Sequence, residues 1–297
     1  MEPVASNPEL RVAPDNEEAM EAWSGVLFDR FVQFRDLLIE SLTLHGRAAM
    51  KAYPPRPGDR VLDIGCGFGD ATQELAALIG RTGEAIGVDV AEPFVEASIA
   101  EAKEAGVANA RFLAGDVQVM DLAGPFDYVF SRMGIMFFAN PVAAMRNVRG
   151  AMAPGARLVA VVWRRKLDNP WLHRAEEVAD RHLEEPEETD EPTCGPGPFS
   201  MANADTVTEQ LTIAGFEQIS LQRCDLPMKI GRDIDHAVQF NMALGPAAEL
   251  IRLDKERAET LRPTLEAEIR EVLGDFGEGP DGVLAPSSTW ILSARAP

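Results

Sequence analysis

Val61-Leu62-Asp63-Ile64-Gly65-Cys66-Gly67-Phe68-Gly69 is the stretch on which the fold turns. Val61 to Ile64 reads as a short buried strand, and Ala71 to Ile79 as a helix started by Asp70. The loop between them holds three glycines at alternate positions. Glycine has two tasks in such a place: a tight turn that needs positive φ, and bare backbone that a ligand can approach closely.

Outward from this unit, strands and helices keep alternating. Ala85 to Val90 is a second strand, and Pro93 to Ala105 a helix with proline in its first turn and Gly106 at its end. Ala110 to Ala114 and Phe126 to Ser131 are the third and fourth strands. Asn140-Pro141 pairs an N-cap with an N1 proline for a helix to Met152, and Pro154-Gly155 turns into a strand from Arg157 to Trp163. Such alternation predicts an α/β fold, a parallel sheet covered by helices on both faces. The second strand ends in Asp89, roughly twenty-odd residues past the first glycine, the spacing of an acid that binds ribose hydroxyls. The third ends in Gly115-Asp116-Val117. Ligands of open α/β sheets bind at strand carboxyl ends, so these features are expected to converge on one crevice.

The loop also discriminates between nucleotides. A dinucleotide fingerprint needs G-x-G-x-x-G, but Asp70 stands where the third glycine falls counted from Gly65, and Thr72 where it falls counted from Gly67. Asp63 puts a carboxylate at the start of the loop, awkward beside a pyrophosphate and agreeable beside a cationic cofactor. There is no Walker lysine. The residues lean from NAD towards S-adenosylmethionine.

Val61 to Gly69 resembles motif I of class I S-adenosylmethionine-dependent methyltransferases, and Gly87-Val88-Asp89 the acidic motif that follows it. Gly115-Asp116 is similar to the adenine-contacting motif, and Met152-Ala153-Pro154-Gly155-Ala156-Arg157-Leu158 to the late motif before strand five, with Ala156 where the family usually has glycine. The resemblance is to the methyltransferase type 11 group, similar to ubiquinone/menaquinone-biosynthesis C-methyltransferases, and covers about Arg60 to Trp163. It implies a Rossmann-like, seven-stranded, mostly parallel sheet with an inserted helical lid. By resemblance Gly65, Gly67 and Gly69 form the loop at the methionine portion, and Asp63 orients its amino group directly or through water. Asp89 binds both ribose hydroxyls, with Val90 packed on the adenine. Asp116 accepts from the adenine amino group, the backbone of Val117 meets the ring, and the backbone of Ser131 approaches the methionine amino group.

The flanks are looser. Asn16 to Met50 reads as one helix with Asp15 or Asn16 as N-cap, its apolar face formed by Trp23, Leu27, Phe31, Phe34, Leu38 and Leu42. Asn169-Pro170 starts another helix, to about Leu183, which leads into an acidic exposed loop, Glu184 to Glu191. A helix from Met201 to Ala214 and a strand from Phe216 to Cys224 follow. Next comes a helical stretch from Asp235 to Leu273, broken at Pro246 and Pro263, and then the strand Ser288 to Ala294. The last two strands are expected to form a hairpin-like antiparallel edge. The resulting division is an N-terminal helical cap (1–59), a cofactor-binding core (60–163) and a C-terminal part (164–297). Insertions at about 164–200 and 231–286 in that last part form the lid.

The 297 residues carry 28 lysines and arginines against 48 acids, a net charge of −20. Phosphate neutralisation supplies most nucleic-acid affinity, so a nucleic-acid partner is excluded, and anionic membrane surfaces with it. The N-terminus shows no signal-peptide pattern, the apolar runs are too short for membrane insertion, and three irregularly spaced cysteines form neither a disulfide framework nor a zinc pattern. A cytoplasmic protein without metal follows, its oligomeric state open, with a homodimer as one arrangement.

Methyl transfer from an activated sulfonium needs mainly an acceptor held in line and dry, with a base only where the acceptor carries a proton. The candidates are His173 as general base and Arg132 as a holder of an anionic acceptor. An exposed helical histidine, and an ion pair of Arg132 with Asp127 or a helix carboxylate, are the plain alternatives. Ser131 to Phe138 lacks the Asn/Asp-Pro-Pro-aromatic run of DNA and protein-amide N-methyltransferases, which points to a small molecule. The expected function is C- or O-methylation of a quinone-like, aromatic or polyketide-like metabolite. The rivals are a non-catalytic S-adenosylmethionine-binding partner subunit and an NAD(P)-dependent oxidoreductase.

Overall fold

Seven strands form one sheet in the order β3-β2-β1-β4-β5-β7-β6, in a computed structural model that describes residues 11–184 and 195–297. The first five are β1 (Arg60–Ile64), β2 (Glu84–Asp89), β3 (Ala110–Ala114), β4 (Phe126–Arg132) and β5 (Met152–Trp163), and all their pairings are parallel. The chain winds outward from β1 through β2 to β3, then returns to the other side of β1 for β4 and β5. That reversal makes a switch point between β1 and β4, where a crevice opens at the carboxyl ends. The centre of the sheet is dry, with Leu62, Ile64, Phe126, Phe130 and Leu158 all fully buried.

The crossover helices are α4 (Asp70–Ile79), α5 (Glu92–Glu104) and α6 (Pro141–Gly150). Asp70 is the first residue of α4 rather than its cap, a position taken by Gly69 with φ 77°. Asn140 caps α6 as expected, its side chain accepting from the Ala143 amide at 3.0 Å. The second Asn-Pro pair behaves differently. Asn169 precedes α7 (Pro170–His182) without a side-chain cap. Its Oδ1 instead accepts from the Ser288 amide at 2.9 Å, and its Nδ2 donates to the Ser288 carbonyl at 3.1 Å. A completely buried amide has pulled a distant strand into register.

The single N-terminal helix expected over Asn16–Met50 is three: α1 (Glu17–Ser24), α2 (Val26–Gln33) and α3 (Arg35–Ala52). The breaks fall at Gly25 and Phe34, both off helical geometry, and Asn16 makes no side-chain cap. Trp23, Phe28 and Phe31 pack with Phe68 and Phe94 beside the glycine loop, whereas Phe34, Leu37 and Leu38 join the main core. One straight rod cannot point its apolar stripe at both places.

After α8 (Ala204–Ala214) the last strands are β6 (Glu217–Gly231) and β7 (Val283–Arg295), longer than their apolar runs. They pair antiparallel from Glu217↔Arg295 to Gly231↔Val283, and β7 also pairs antiparallel with β5. The antiparallel edge is as expected, but it is no tight hairpin. Between the two strands run α9 (Ile234–Ala243), α10 (Pro246–Leu253) and α11 (Lys255–Gly274). Pro246 opens α10 at its first turn, while the expected break at Pro263 does not occur and falls at Asp254. Pro263 sits on an exposed face of α11, where water can take the carbonyl that loses its partner. Among the described residues no helix is long and apolar enough to cross a membrane. Most of the acidic stretch Glu184–Glu191, together with Cys194, lies outside the described residues.

Candidate active site

A cavity of about 1300 Å³ opens at the carboxyl ends of β1, β2 and β4, at the switch point. Gly65, Gly67, Asp89, Val90, Asp116 and Val117 line it. Three loops, at 65–67, 89–90 and 116–117, thus meet at one wall because each follows a parallel strand.

The glycine loop is shaped by backbone demands. Gly65 has φ 67°, and a Cβ there would stand 2.7 Å from the Gly134 Cα, so β1 and the segment after β4 touch backbone to backbone. Gly67 has φ 53°, and a Cβ there would meet nothing within 4 Å. The space beside Gly67 is cavity, a cradle of bare backbone open to a ligand. Gly69 turns away from it: its own Cβ would collide with the Phe112 ring at 2.6 Å.

Asp89 holds the loop and faces the cavity at once. Its Oδ2 accepts from the Gly67 amide at 2.9 Å and its Oδ1 from the Ala91 amide at 3.0 Å. Burial pushes its carboxyl above the ordinary range, against those hydrogen bonds. Asp116 accepts from the Gln118 amide at 2.9 Å and, from far away in sequence, from the Ala13 amide at 3.0 Å. The Gln118 side chain bridges further, its Oε1 accepting from the Asn140 amide at 2.6 Å. Sequence reasoning missed Gln118 and the contact of Ala13, since no local pattern marks either.

Asp63 and Ser131 do not line the cavity. Asp63 lies behind the loop, 1% exposed, and accepts from the Thr72 hydroxyl at 2.6 Å. Desolvation lifts its carboxyl to about 7. The Ser131 hydroxyl donates to the Ile64 carbonyl at 2.8 Å and ties β4 to the end of β1. The next residues, Arg132, Met133 and Gly134, do reach the cavity.

The two candidates for chemistry separate. Arg132 lines the cavity, but its guanidinium is engaged by both oxygens of Asp70, at 2.8 and 3.0 Å. The partner is the helix carboxylate and not Asp127, which accepts from the Arg60 amide instead. His173 is not brought to the cavity; its Nε2 lies 3.7 Å from Glu177 on the same helix. His45 is fully buried elsewhere, between Ser287 and Thr289. Much of the remaining wall is apolar, with Trp23, Phe31, Met136, Trp163, Trp171 and Phe240 prominent, and ion pairs of the C-terminal helices such as Glu176–Lys166 and Glu249–Arg252 complete it. Trp23 meets Phe137 edge to face at 4.9 Å, and Trp171 stacks on Phe240 at 5.8 Å, so aromatic contacts close the cavity from the N-terminal and C-terminal sides.

Comparison with known proteins agrees with this geometry. The family model described as a methyltransferase domain matches residues 55–189. Nocamycin O-methyltransferase of Saccharothrix syringae is 34% identical over 136 residues, covering 45% of this chain and 48% of that protein. The ubiquinone/menaquinone biosynthesis C-methyltransferase UbiE of Ectopseudomonas mendocina is 32% identical over 119 residues, 39% of this chain and 46% of its own. The chain spans about half the length of these curated relatives. Among solved structures, phosphoethanolamine N-methyltransferase 2 of Haemonchus contortus superimposes with a TM-score of 0.57 at 16% identity, over 96% of this chain and 61% of that one. That likeness shows the fold. Residues 55–189, which hold the glycine loop and the acids at the strand ends, are thus similar to a methyltransferase domain, and their strand ends open into this cavity.

Proposed function

We propose that the protein transfers a methyl group from S-adenosylmethionine to a small-molecule acceptor, at carbon or oxygen of a quinone-like, aromatic or polyketide-like metabolite. The observation that carries this reading is the size and asymmetry of the cavity. At about 1300 Å³ it exceeds the ~300–1,000 Å³ of a pocket for one drug-sized ligand. One end is glycine backbone and carboxylates; the other carries most of the aromatic and aliphatic side chains, bordered by ion pairs of the C-terminal helices. A polar cofactor and an apolar acceptor fit side by side.

Bound S-adenosylmethionine supplies a methyl group already activated by a sulfonium. Asp89 and Asp116 are the acids for the ribose hydroxyls and the adenine amino group, Val90 and Val117 hold the ring, and Gly65 and Gly67 present backbone to the methionine portion. Asp63 supports the loop through Thr72, and Ser131 supports it through Ile64. Arg132, pinned by Asp70, braces the wall between cofactor and acceptor. Residues 1–59 form the cap, 60–163 the cofactor-binding core, and segments 164–200 and 231–286 the lid, whose α7 and α9 to α11 contribute the acceptor side. The free Cys66 and Cys224 go with a reducing cytoplasm.

Calorimetry with S-adenosylhomocysteine and with NADH tests the cofactor, and transfer of labelled methyl groups to candidate acceptors tests turnover. S-adenosylhomocysteine is expected to bind and NADH not to. Asp89→Ala is expected to weaken S-adenosylhomocysteine by about tenfold or more, since two charge-assisted hydrogen bonds disappear. Unchanged affinity in a folded Asp89→Ala protein would remove the site assignment, and cofactor binding without transfer to any acceptor would point to a binding subunit.

A further inference from the structure

We propose that the protein binds a small phosphate-bearing anion in a second cavity, between Arg56, Arg157 and Arg295 at the amino ends of the parallel strands. This cavity of about 310 Å³ lies at the opposite end of the sheet from the large one and shares no lining residue with it. The proposal therefore stands apart from the methyltransferase reading.

The strand register puts the charges together. Arg157 near the start of β5 stands opposite Arg295 at the end of β7, and Arg56, in the turn between α3 and β1, lines the same cavity. Side chains paired across antiparallel strands stand on one face, and like charges in that position repel. Arg157 feels its neighbours: burial first, then Arg295 and more weakly Arg56, hold its pKa below the ordinary arginine range, Tyr53 and Tyr128 opposing this only in part.

No carboxylate relieves the repulsion. None of the three guanidiniums has an ion pair with a described residue. The acids of the lining, Asp59 and Asp127, each accept from a backbone amide instead, that of Arg56 at 2.7 Å and that of Arg60 at 2.8 Å. Glu217 stands opposite Arg295 on the other side of β7, but it is exposed and makes no ion pair with it. The lining thus holds three cations against two acids, in a chain whose net charge is −20.

The donors are already held in place. The Arg157 guanidinium lies over the Tyr53 ring, 4.8 Å from its centre, and its Nη1 donates to the Ser293 hydroxyl at 2.6 Å. Arg295 donates through Nη1 to the Gly155 carbonyl at 2.5 Å. A guanidinium has more N–H groups than these bonds use, so both arginines keep donors for a ligand. Two carbonyls of the lining that would repel an anion are occupied, Gly155 by Arg295 and Tyr53 by the Tyr128 hydroxyl at 2.8 Å. Beside the turn there is room, since a Cβ on Gly155 would meet nothing within 4 Å. A carboxylate offers two oxygens in one plane and a single charge. A phosphate monoester offers three outward oxygens and a charge of about −1.5 to −2, the better match for three guanidiniums on three separate segments. The volume, at the small end of the ~300–1,000 Å³ of ligand pockets, suits a phosphate on a short carbon skeleton.

Calorimetry on the full chain tests the site, with inorganic phosphate, pyrophosphate and glycerol 3-phosphate as probes and malonate as the carboxylate control. Ionic strength is held constant with sodium chloride, so that screening is equal throughout. At least one phosphate probe is expected to bind, and at least tenfold more tightly than malonate. Arg56→Gln/Arg295→Gln is expected to weaken that probe tenfold or more. The single change Arg56→Glu, at an exposed position, is expected to do the same should the double variant fail to fold. Glycerol 3-phosphate binding more tightly than inorganic phosphate assigns the site to an ester, and the reverse order assigns it to the free ion. The proposal is overturned if no phosphate probe binds, if malonate binds as tightly, or if binding survives the substitutions in folded protein. Displacement of the probe by S-adenosylhomocysteine also overturns it, by placing the probe in the large cavity. Failure of S-adenosylhomocysteine to bind at all bears on the methyltransferase reading alone.

Discussion

Gly65 and Gly67 stand in one loop with the same left-handed backbone, yet their surroundings set opposite expectations. Alanine at Gly65 carries the left-handed penalty of about 1–2 kcal/mol and drives a methyl into the Gly134 backbone, which has no side chain to yield. Alanine at Gly67 carries the same penalty but meets only cavity. Gly65→Ala is therefore expected to show the larger loss of thermal stability, and Gly67→Ala the larger loss of S-adenosylhomocysteine affinity relative to its loss of stability. Thermal unfolding and calorimetry on the two variants check this, and equal stability losses would show that the backbone contact to Gly134 carries no weight. The motif announced both glycines. It did not distinguish the one packed against backbone from the one that faces open cavity, because spacing carries no information about what stands opposite. Asp63 makes the same point: its place in the motif is plain, but only the packed structure puts its carboxyl behind the loop on Thr72.

Helix starts show a similar contrast among elements. Asn140-Pro141 and Asn169-Pro170 are the same dipeptide before the same kind of helix. Asn140 makes an exposed local cap, so Asn140→Ala is expected to cost about 1 kcal/mol. Asn169 is completely buried and satisfies both the N–H and the C=O of Ser288 in β7. Removing it strands the buried Ser288 N–H at about 1–3 kcal/mol, while the Ser288 carbonyl keeps the Arg164 amide, so Asn169→Ala is expected to be the more destabilising of the two. Urea unfolding of both variants measures the difference; a smaller loss at Asn169 would mean water replaces the amide. The three-part N-terminal helix and the unbroken passage of α11 through Pro263 have one cause. Propensity is a weak prior, and each element settles where its apolar face finds a partner.

At the scale of the molecule, His45 ties the N-terminal layer to the antiparallel end of the sheet. Its Nε2 contacts the Ser287 hydroxyl at 2.7 Å and its Nδ1 the Thr289 hydroxyl at 2.9 Å, joining α3 to β7. Burial lowers its pKa from 6.5 to about 4, the nearby Asp225 opposing this only in part. The folded protein thus keeps the ring neutral where the unfolded chain protonates it. Its contribution is complete above about pH 6.5 and is lost as pH falls from there towards 4. Between pH 7.5 and 5 the wild type is expected to lose on the order of 1–2 kcal/mol more than His45→Gln, by urea unfolding at both values. Parallel pH dependences of the two proteins would exclude His45 as the source.

The alternating α/β frame over β1 to β5, the antiparallel final strands and the loops that line the cavity were all legible in the residues alone. The frame and the loops follow from local periodicity, glycine spacing and acids at strand ends, and the antiparallel edge from the family resemblance that those motifs carry. Pairing along a strand and burial of a helix face are encoded within a few residues, so they are legible without a structure. Only the tertiary structure decided that Ala13 and Gln118 meet at Asp116, that Arg132 belongs to Asp70, and that His173 stands away from the cavity. It also brought the helices of the C-terminal part to the same cavity as the glycine loop. Those relations join residues far apart in the chain, and their partners are chosen by how the lid helices pack. No window of sequence holds both members of such a pair.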